Sequence, residues 1–290
     1  MNHLVCYKTL PEWTESTIPK GFRSKHNTQV GTWGKIIILA GKLKYYSLDE
    51  AGNVSDTAIF DCHSNIPFVE PQAWHKIEAM DDELRCQLAF YCRPEDYYQK
   101  KYRISDTHPE VLEVVRYIQS GKAMDMGCGR GRNALFLQRQ GFDVSAFDAN
   151  REFVNTLQNI IEQEGLEHIR ACTGDGNAAT LTEQYDLILN IVVMMFLKAD
   201  RIPDIIRNMQ ACTRPGGYNV IVCAMDSPDY PLTEDVSFFS FTMKAGELSD
   251  YYKGWNIKKY NEDVGHLHRT DAAGNRIALR FATLIAQNPS

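Results

Sequence analysis

Gly127, Gly129 and Gly131 stand at alternate positions in the stretch MDMGCGRGR (124–132), directly after a short apolar run. Backbone this bare can turn tightly and offer its amides to a polar ligand, as strand-to-helix turns do in doubly wound sheets. The dinucleotide pattern GxGxxG, counted from Gly127, wants another glycine where Arg132 stands, and no GxxxxGK phosphate loop is present. Asp125 lies two places before the first glycine. A carboxylate there would repel a pyrophosphate and favour a cationic ligand. A tight turn with no ligand is the plainer alternative.

S-adenosylmethionine, with its ammonium and sulfonium, is a ligand of that kind, and further acids follow at intervals that suit it. Asp148 closes VSAFD, about 20 residues on, where a carboxylate can accept from both ribose hydroxyls; it could equally cap the helix that begins REFVNTLQNII. Asp175, in TGDGN, is placed to accept from an adenine amino group or to serve as a turn residue. Asn190, ending LILN, faces the same crevice, and a polar side chain in that apolar run needs a hydrogen-bond partner. Arg132 and Asn133 open the next helix, whose first amides can meet a carboxylate.

The elements that must position these residues alternate regularly. A helix is predicted over 106–119, with Val111, Leu112, Val115 and Ile118 as its apolar face, Asp106 or Thr107 as cap and Pro109 in the first turn. Then come strand 122–126, helix 131–140, strand 142–148, helix 150–163, strands 168–173 and 185–190, helix 201–213, a Pro-Gly-Gly turn and strand 218–224. This order implies a mainly parallel sheet in an α/β fold. WNIKKYNEDVG and RIALRFATLIA, joined by RTDAAGN, read as an antiparallel hairpin at the sheet edge. Up to about residue 95 the pattern differs, with short strands such as KIIILAG and LRCQLAFYC broken by turns, so a small all-β domain over 1–95 is expected before an α/β domain over 96–290.

Composition narrows the function. Of 290 residues 44% are hydrophobic and 23% charged, as in an ordinary globular protein, and the net charge of -6 gives no general attraction to nucleic acid or anionic lipid. No basic, then apolar, leader is read at MNHLVCYKTLPEW, and the apolar run LILNIVVMMFL is too short to span a bilayer. Eight dispersed cysteines without a CxxC pair suit reduced thiols, so a cytoplasmic location is expected.

Taken in order, these features resemble the class I S-adenosylmethionine-dependent methyltransferases. The closer resemblance is to the bacterial tellurite-resistance methyltransferases, on the stretches THPEVLEVV, DMGCGRGRN, VVMMFL, NMQACTRPGGYNVIVCAMD, YPLT and NEDVGHLHRTDAAGNRIALRFATLIA. GTWGKIIILAGKLKYY and FVEPQAWHKIEAM resemble a small cupin-like β domain fused to some members. The resemblance implies S-adenosylmethionine as donor, S-adenosylhomocysteine as product, and the chalcogen oxyanions tellurite and selenite as acceptors. It implies a donor site extending over Cys128, Ala149 and Gly176 beside the residues above. Tyr102, in EDYYQKKYR, is expected in a lid over the sulfonium, or in a core or linker role.

Cationic residues in GHLHRTDAAGNR suit an oxyanion: His266, His268, Arg269 and Arg276 lie within eleven positions. By resemblance His268, Arg269 and Arg276 match the family's acceptor-site residues; without it they read equally well as a solvated turn. The fourth strand lacks the [DN]PP[YF] motif of amino-group methylation on DNA, reading NIVVMM, so a small acceptor and no nucleic acid or membrane partner are expected. A small organic thiol or thiopurine is the alternative acceptor, and a non-catalytic donor-binding sensor is the alternative outside enzymes. In the amino-terminal domain His26, His63, His75, Glu70 and Glu78 form no HxH set, so no metal is expected there; chain association through that domain is one use for it.

Overall fold

A computed structural model describes residues 4–289 of the chain, and the His268 side chain lies outside what it describes. The chain divides into two compact units between Arg103 and Ile104.

The first unit is all-β apart from short helical turns. Its strands are β1 (Val5–Thr9), β2 (Trp13–Thr14), β3 (Trp33–Ala40), β4 (Lys42–Leu48), β5 (Val54–Asp61), β6 (His75–Ala79) and β7 (Arg85–Cys92). In β3, Ile36 and Ile38 turn inward while Ile37 and Leu39 face out, the period of two that a half-buried strand requires. One sheet has the order β1-β7-β2 with β3 also on β7, the other runs β5-β4-β6, and all pairs are antiparallel. Trp13, Ile36, Ile38, Leu43, Ile77 and Leu84 make the core. The EDYYQKKYR segment ends in α1 (Tyr97–Tyr102) and packs with this unit.

In the second unit the chain forms α2 (Pro109–Val114), β8 (Gly121–Met126), α3 (Arg132–Arg139), β9 (Phe142–Asp148), α4 (Arg151–Glu164), β10 (Ile169–Thr173), β11 (Tyr185–Ile191) and α5 (Ile202–Ala211). It ends with β12 (Thr213–Ala224), α6 (Glu247–Tyr251), β13 (Asn256–Thr270) and β14 (Arg276–Gln287). The seven-stranded sheet has the order β10-β9-β8-β11-β12-β14-β13. The first five strands are parallel, and β14 runs antiparallel to both neighbours. The expected α/β class with a terminal hairpin is therefore what the chain adopts. Its strands have continuous apolar runs because both faces are covered: Leu187, Ile188, Leu189, Val220, Ile221 and Leu284 are all fully buried. The strand order reverses between β8 and β11, and a crevice at their carboxyl ends is where such sheets bind ligands.

Three local expectations are corrected. The helix expected over 106–119 is only Pro109–Val114, its N-cap is His108 rather than Asp106 or Thr107, and it buries Val111 and Val114 while Leu112 is 40% exposed. An imidazole Nδ1 accepts from Glu110 N (3.3 Å), so a residue outside the usual capping types wins the position. Secondly, the Pro-Gly-Gly segment does not precede a strand but bulges within β12, where pairing with β11 jumps from Tyr185↔Thr213 to Leu187↔Tyr218. Arg214 at the bulge is held by Asp186 at 2.7 Å. Thirdly, Asp148 does not cap α4; Asn150 does, accepting from Glu152 N (2.9 Å) and Phe153 N (3.3 Å).

Beneath the hairpin a buried polar chain joins α6 to β12. Tyr252 donates to Asn219 Oδ1 (2.8 Å), Asn219 Nδ2 donates to Thr213 Oγ1 (2.6 Å), and Thr213 donates to the Met209 carbonyl (2.7 Å). Tyr252 and Asn219 are fully buried, so Tyr252→Phe leaves an acceptor short of its donor. We expect it to lower stability by about 1–3 kcal/mol, read from the urea midpoint at unchanged slope.

Candidate active site

The glycine loop folds back on the end of β9. Gly127 N and Cys128 N both donate to the Phe147 carbonyl (2.8 and 3.0 Å), and Gly131, with φ 91°, caps α3. At Gly127, φ is 73° and an added Cβ would overlap the Val193 side chain, so both conformation and space require glycine. Asp148 locks the loop: its Oδ2 accepts from Gly129 N (2.8 Å) and its Oδ1 from Asn150 N (2.8 Å). That short Asx-type turn to Asn150 is why the cap of α4 falls two residues later.

Above this loop lies a cavity of about 600 Å³. The structure brings Gly127, Cys128, Gly129, Arg132, Asn133, Asp148, Ala149, Asp175 and Gly176 into its wall, with Phe153 and Leu197 as apolar cover. Asp175 accepts from Asn177 N (2.9 Å) and Nδ2 (3.0 Å), which fixes its carboxylate at the rim. Asn133 is buried and spends its Oδ1 on His108 N (3.0 Å), tying α3 to the start of α2. Gly131 lies outside the wall and shapes the loop. Tyr102 belongs to the first unit, where its ring stacks on Tyr98 at 6.5 Å. A tightly folded glycine loop, two fixed carboxylates and an apolar cover fit a ribonucleoside carrying an amino-acid tail.

Asp125 and Asn190 lie behind that wall rather than in it. Asp125 is 1% exposed, and burial pushes its carboxyl up to about 7 against the Arg132 guanidinium and the Ala134 amide, which favour the anion. Its Oδ2, and both polar atoms of the fully buried Asn190, have no hydrogen-bond partner among the described residues. They sit on neighbouring strands, Asp125 opposite Leu189 and Asn190 opposite Met126. Orphaned polar atoms at a strand terminus mark a place where a ligand group or water completes the bonding.

The raised carboxyl has a pH consequence. Its folded value lies above the ordinary value near ~3.9, so the native state keeps the extra proton, and this contribution to stability is lost as pH rises through about 7. Between about pH 5 and pH 8 the wild type should lose on the order of 2 kcal/mol through this group, and Asp125→Asn should remove that slope. Urea unfolding of both proteins at the two pH values measures it.

A second cavity of about 550 Å³ shares Arg132, Val192 and Phe196 with the first. Val192 holds φ 61°, a strained value for a β-branched residue, at the junction of the two. Phe238, Phe239 and Phe281 add apolar wall, and His108, His266 and Arg269 add polar wall. The Arg269 guanidinium lies over the Phe238 ring at 4.7 Å. Lys259 is held by Glu110 (2.7 Å) and Glu113 (2.8 Å). Burial, with Arg132 and Lys259 nearby, lowers the His108 pKa to about 4, so the ring is neutral near pH 7. Arg276 is outside this wall: its guanidinium donates to the Leu267 (2.8 Å) and His266 (2.9 Å) carbonyls and ties the hairpin to itself. The His268 side chain lies outside the described residues. Sequence reasoning missed His108 and the phenylalanines; the run FFSF at 238–241, aromatic within a loop, was the available signal.

Among the described residues no helix is long and apolar enough to cross a membrane. Residues 90–285 match the family model "Tellurite resistance protein TehB", and residues 8–88 match "TehB-like domain". The chain is 48% identical over 286 residues to the Haemophilus influenzae protein described as "Probable S-adenosyl-L-methionine-dependent methyltransferase TehB", covering 99% of each chain. The crystal structure of TehB from Haemophilus influenzae superposes with a TM-score of 0.93 over 99% of both chains. Over 92 residues, 30% of this chain, it is 28% identical to the uncharacterized protein YeaR of Escherichia coli, of which 77% is covered. Two domain matches in order, near-complete coverage and a glycine-loop cavity of the right kind lead to one assignment: the chain is a member of the TehB family of S-adenosylmethionine-dependent methyltransferases.

Proposed function

We propose that the chain methylates soft chalcogen oxyanions, tellurite and selenite, and so detoxifies them. The observation that carries this reading is the second cavity, with Arg269 in its wall and Arg132, Val192 and Phe196 shared with the donor cavity. When bound, S-adenosylmethionine supplies an electrophilic methyl group on a sulfonium. On this reading Asp148 accepts from the ribose hydroxyls, Asp175 from the adenine amino group, and the first turn of α3 at Arg132 and Asn133 holds the methionine tail against the glycine loop. Asp125 Oδ2 and Asn190 Oδ1 accept from the tail's ammonium, directly or through water.

A selenium(IV) or tellurium(IV) oxyanion has a lone pair on the chalcogen. That pair forms the new bond to carbon, the carbon–sulfur bond breaks, and S-adenosylhomocysteine leaves, so this step moves no proton. The chain's task is then to orient the oxyanion and offset its charge. Arg269 donates to the oxygens through its planar fork. Arg276 supports it by fixing the hairpin that carries it. Phe196, Phe238, Phe239 and Phe281 give the acceptor cavity an apolar lining, beside which those charged contacts are stronger than in open water. Eight free cysteines suit a reducing cytoplasm.

The same four rings favour a second reading, a small organic thiol as acceptor. Purified protein, donor and either tellurite or selenite should yield S-adenosylhomocysteine together with methylated tellurium or selenium. No product from either oxyanion, beside fast turnover of a thiol, establishes the second reading instead.

A further inference from the structure

We infer that His26 and His75, in the first unit, form a chelating pair for a borderline divalent transition-metal ion of the Co²⁺, Ni²⁺ and Zn²⁺ class. The two residues face each other across a backbone pair, His26 N donating to the His75 carbonyl (3.0 Å) and His75 N to the His26 carbonyl (2.8 Å). Directly opposed residues send their side chains to one face, and the ring centroids are 4.1 Å apart.

Each ring is fixed in the same way. His26 Nδ1 lies 2.9 Å from the Ser24 carbonyl and His75 Nδ1 lies 2.8 Å from the Ala73 carbonyl. A carbonyl only accepts, so Nδ1 carries the proton in both and the lone pair of each neutral ring is on Nε2. This is the outer-shell arrangement that orients metal-binding histidines. Packing holds the rings in place, Phe22 edge-on to His26 at 4.8 Å and Tyr45 stacked on His75 at 5.4 Å. His26 Nε2 is buried without a partner among the described residues, a cost that a purely structural histidine would avoid.

Both rings line a cavity of about 780 Å³. Its described lining contains no Asp or Glu, so a hard oxygen-seeking cation finds no carboxylate there, whereas imidazole suits the class named. No third His, Cys, Asp or Glu completes the set among the described residues. The remaining coordination positions therefore open into the cavity, to water or to an anion entering past Lys8 and Arg103. An open position of this kind belongs to exchangeable rather than purely structural metal sites.

The test uses the full chain, freed of metal with a chelator and titrated with Zn²⁺ and Co²⁺ by calorimetry. One ion should bind per chain, and His26→Ala or His75→Ala should weaken binding by at least about tenfold. Cobalt on the wild type should shift the Nδ1–H proton resonances of two imidazoles, a readout independent of whether the variants fold. Absence of binding, an unchanged isotherm in the double variant, or cobalt shifts from other residues would overturn the inference.

Discussion

Asp148→Ala should weaken S-adenosylhomocysteine binding by about 100-fold to 1,000-fold. The carboxylate accepts two backbone amides, from Gly129 and from Asn150, and so fixes both the glycine loop and the start of α4 against β9. Each bond to a charged acceptor contributes about 1.5–3 kcal/mol, and the variant also loses the proposed ribose contact. Asp148→Asn should fall between wild type and Ala, because the carboxamide keeps one acceptor oxygen and turns the other into a donor that opposes an amide. Calorimetric titration of the three proteins orders them. Ala binding as tightly as wild type would mean that the ribose lies elsewhere.

Arg269→Ala should lower kcat with selenite by about 100-fold and leave the Kd of S-adenosylhomocysteine unchanged. The guanidinium is in the wall of the second cavity and outside the first, so its loss touches the acceptor and spares the donor. Stacking on Phe238 holds the planar group in one orientation, which a lysine ammonium cannot reproduce. Arg269→Lys should therefore recover only part of the rate. Steady-state kinetics at saturating donor make the comparison. An unchanged kcat with selenite in Arg269→Ala would move the oxyanion contact away from this residue.

The parallel sheet was legible because its signals are local. The strands expected at 122–126 and 185–190, the glycines at 127, 129 and 131, and the helix expected over 131–140 each follow from residues within a few positions of one another. Expectations failed where a local rule had two candidates. Asp148 and Asn150 both suit a helix start, and only the hydrogen bond from Gly129 to Asp148, across the strand ends, divided the roles. Val111 and Leu112 are equally apolar, and packing on the sheet chose Val111.

The amino-acid order by itself determined the class of the fold and the glycine loop with its acids, because period, turn chemistry and backbone freedom act over short separations. Only the tertiary structure decided which polar groups share a wall. Arg132, opening α3, and Phe238, on the long loop after β12, meet one cavity, Arg276 turned inward to its own hairpin, and His26 came to face His75. Those partnerships depend on strand register and on side-chain burial, and neither is written in the spacing of the residues concerned.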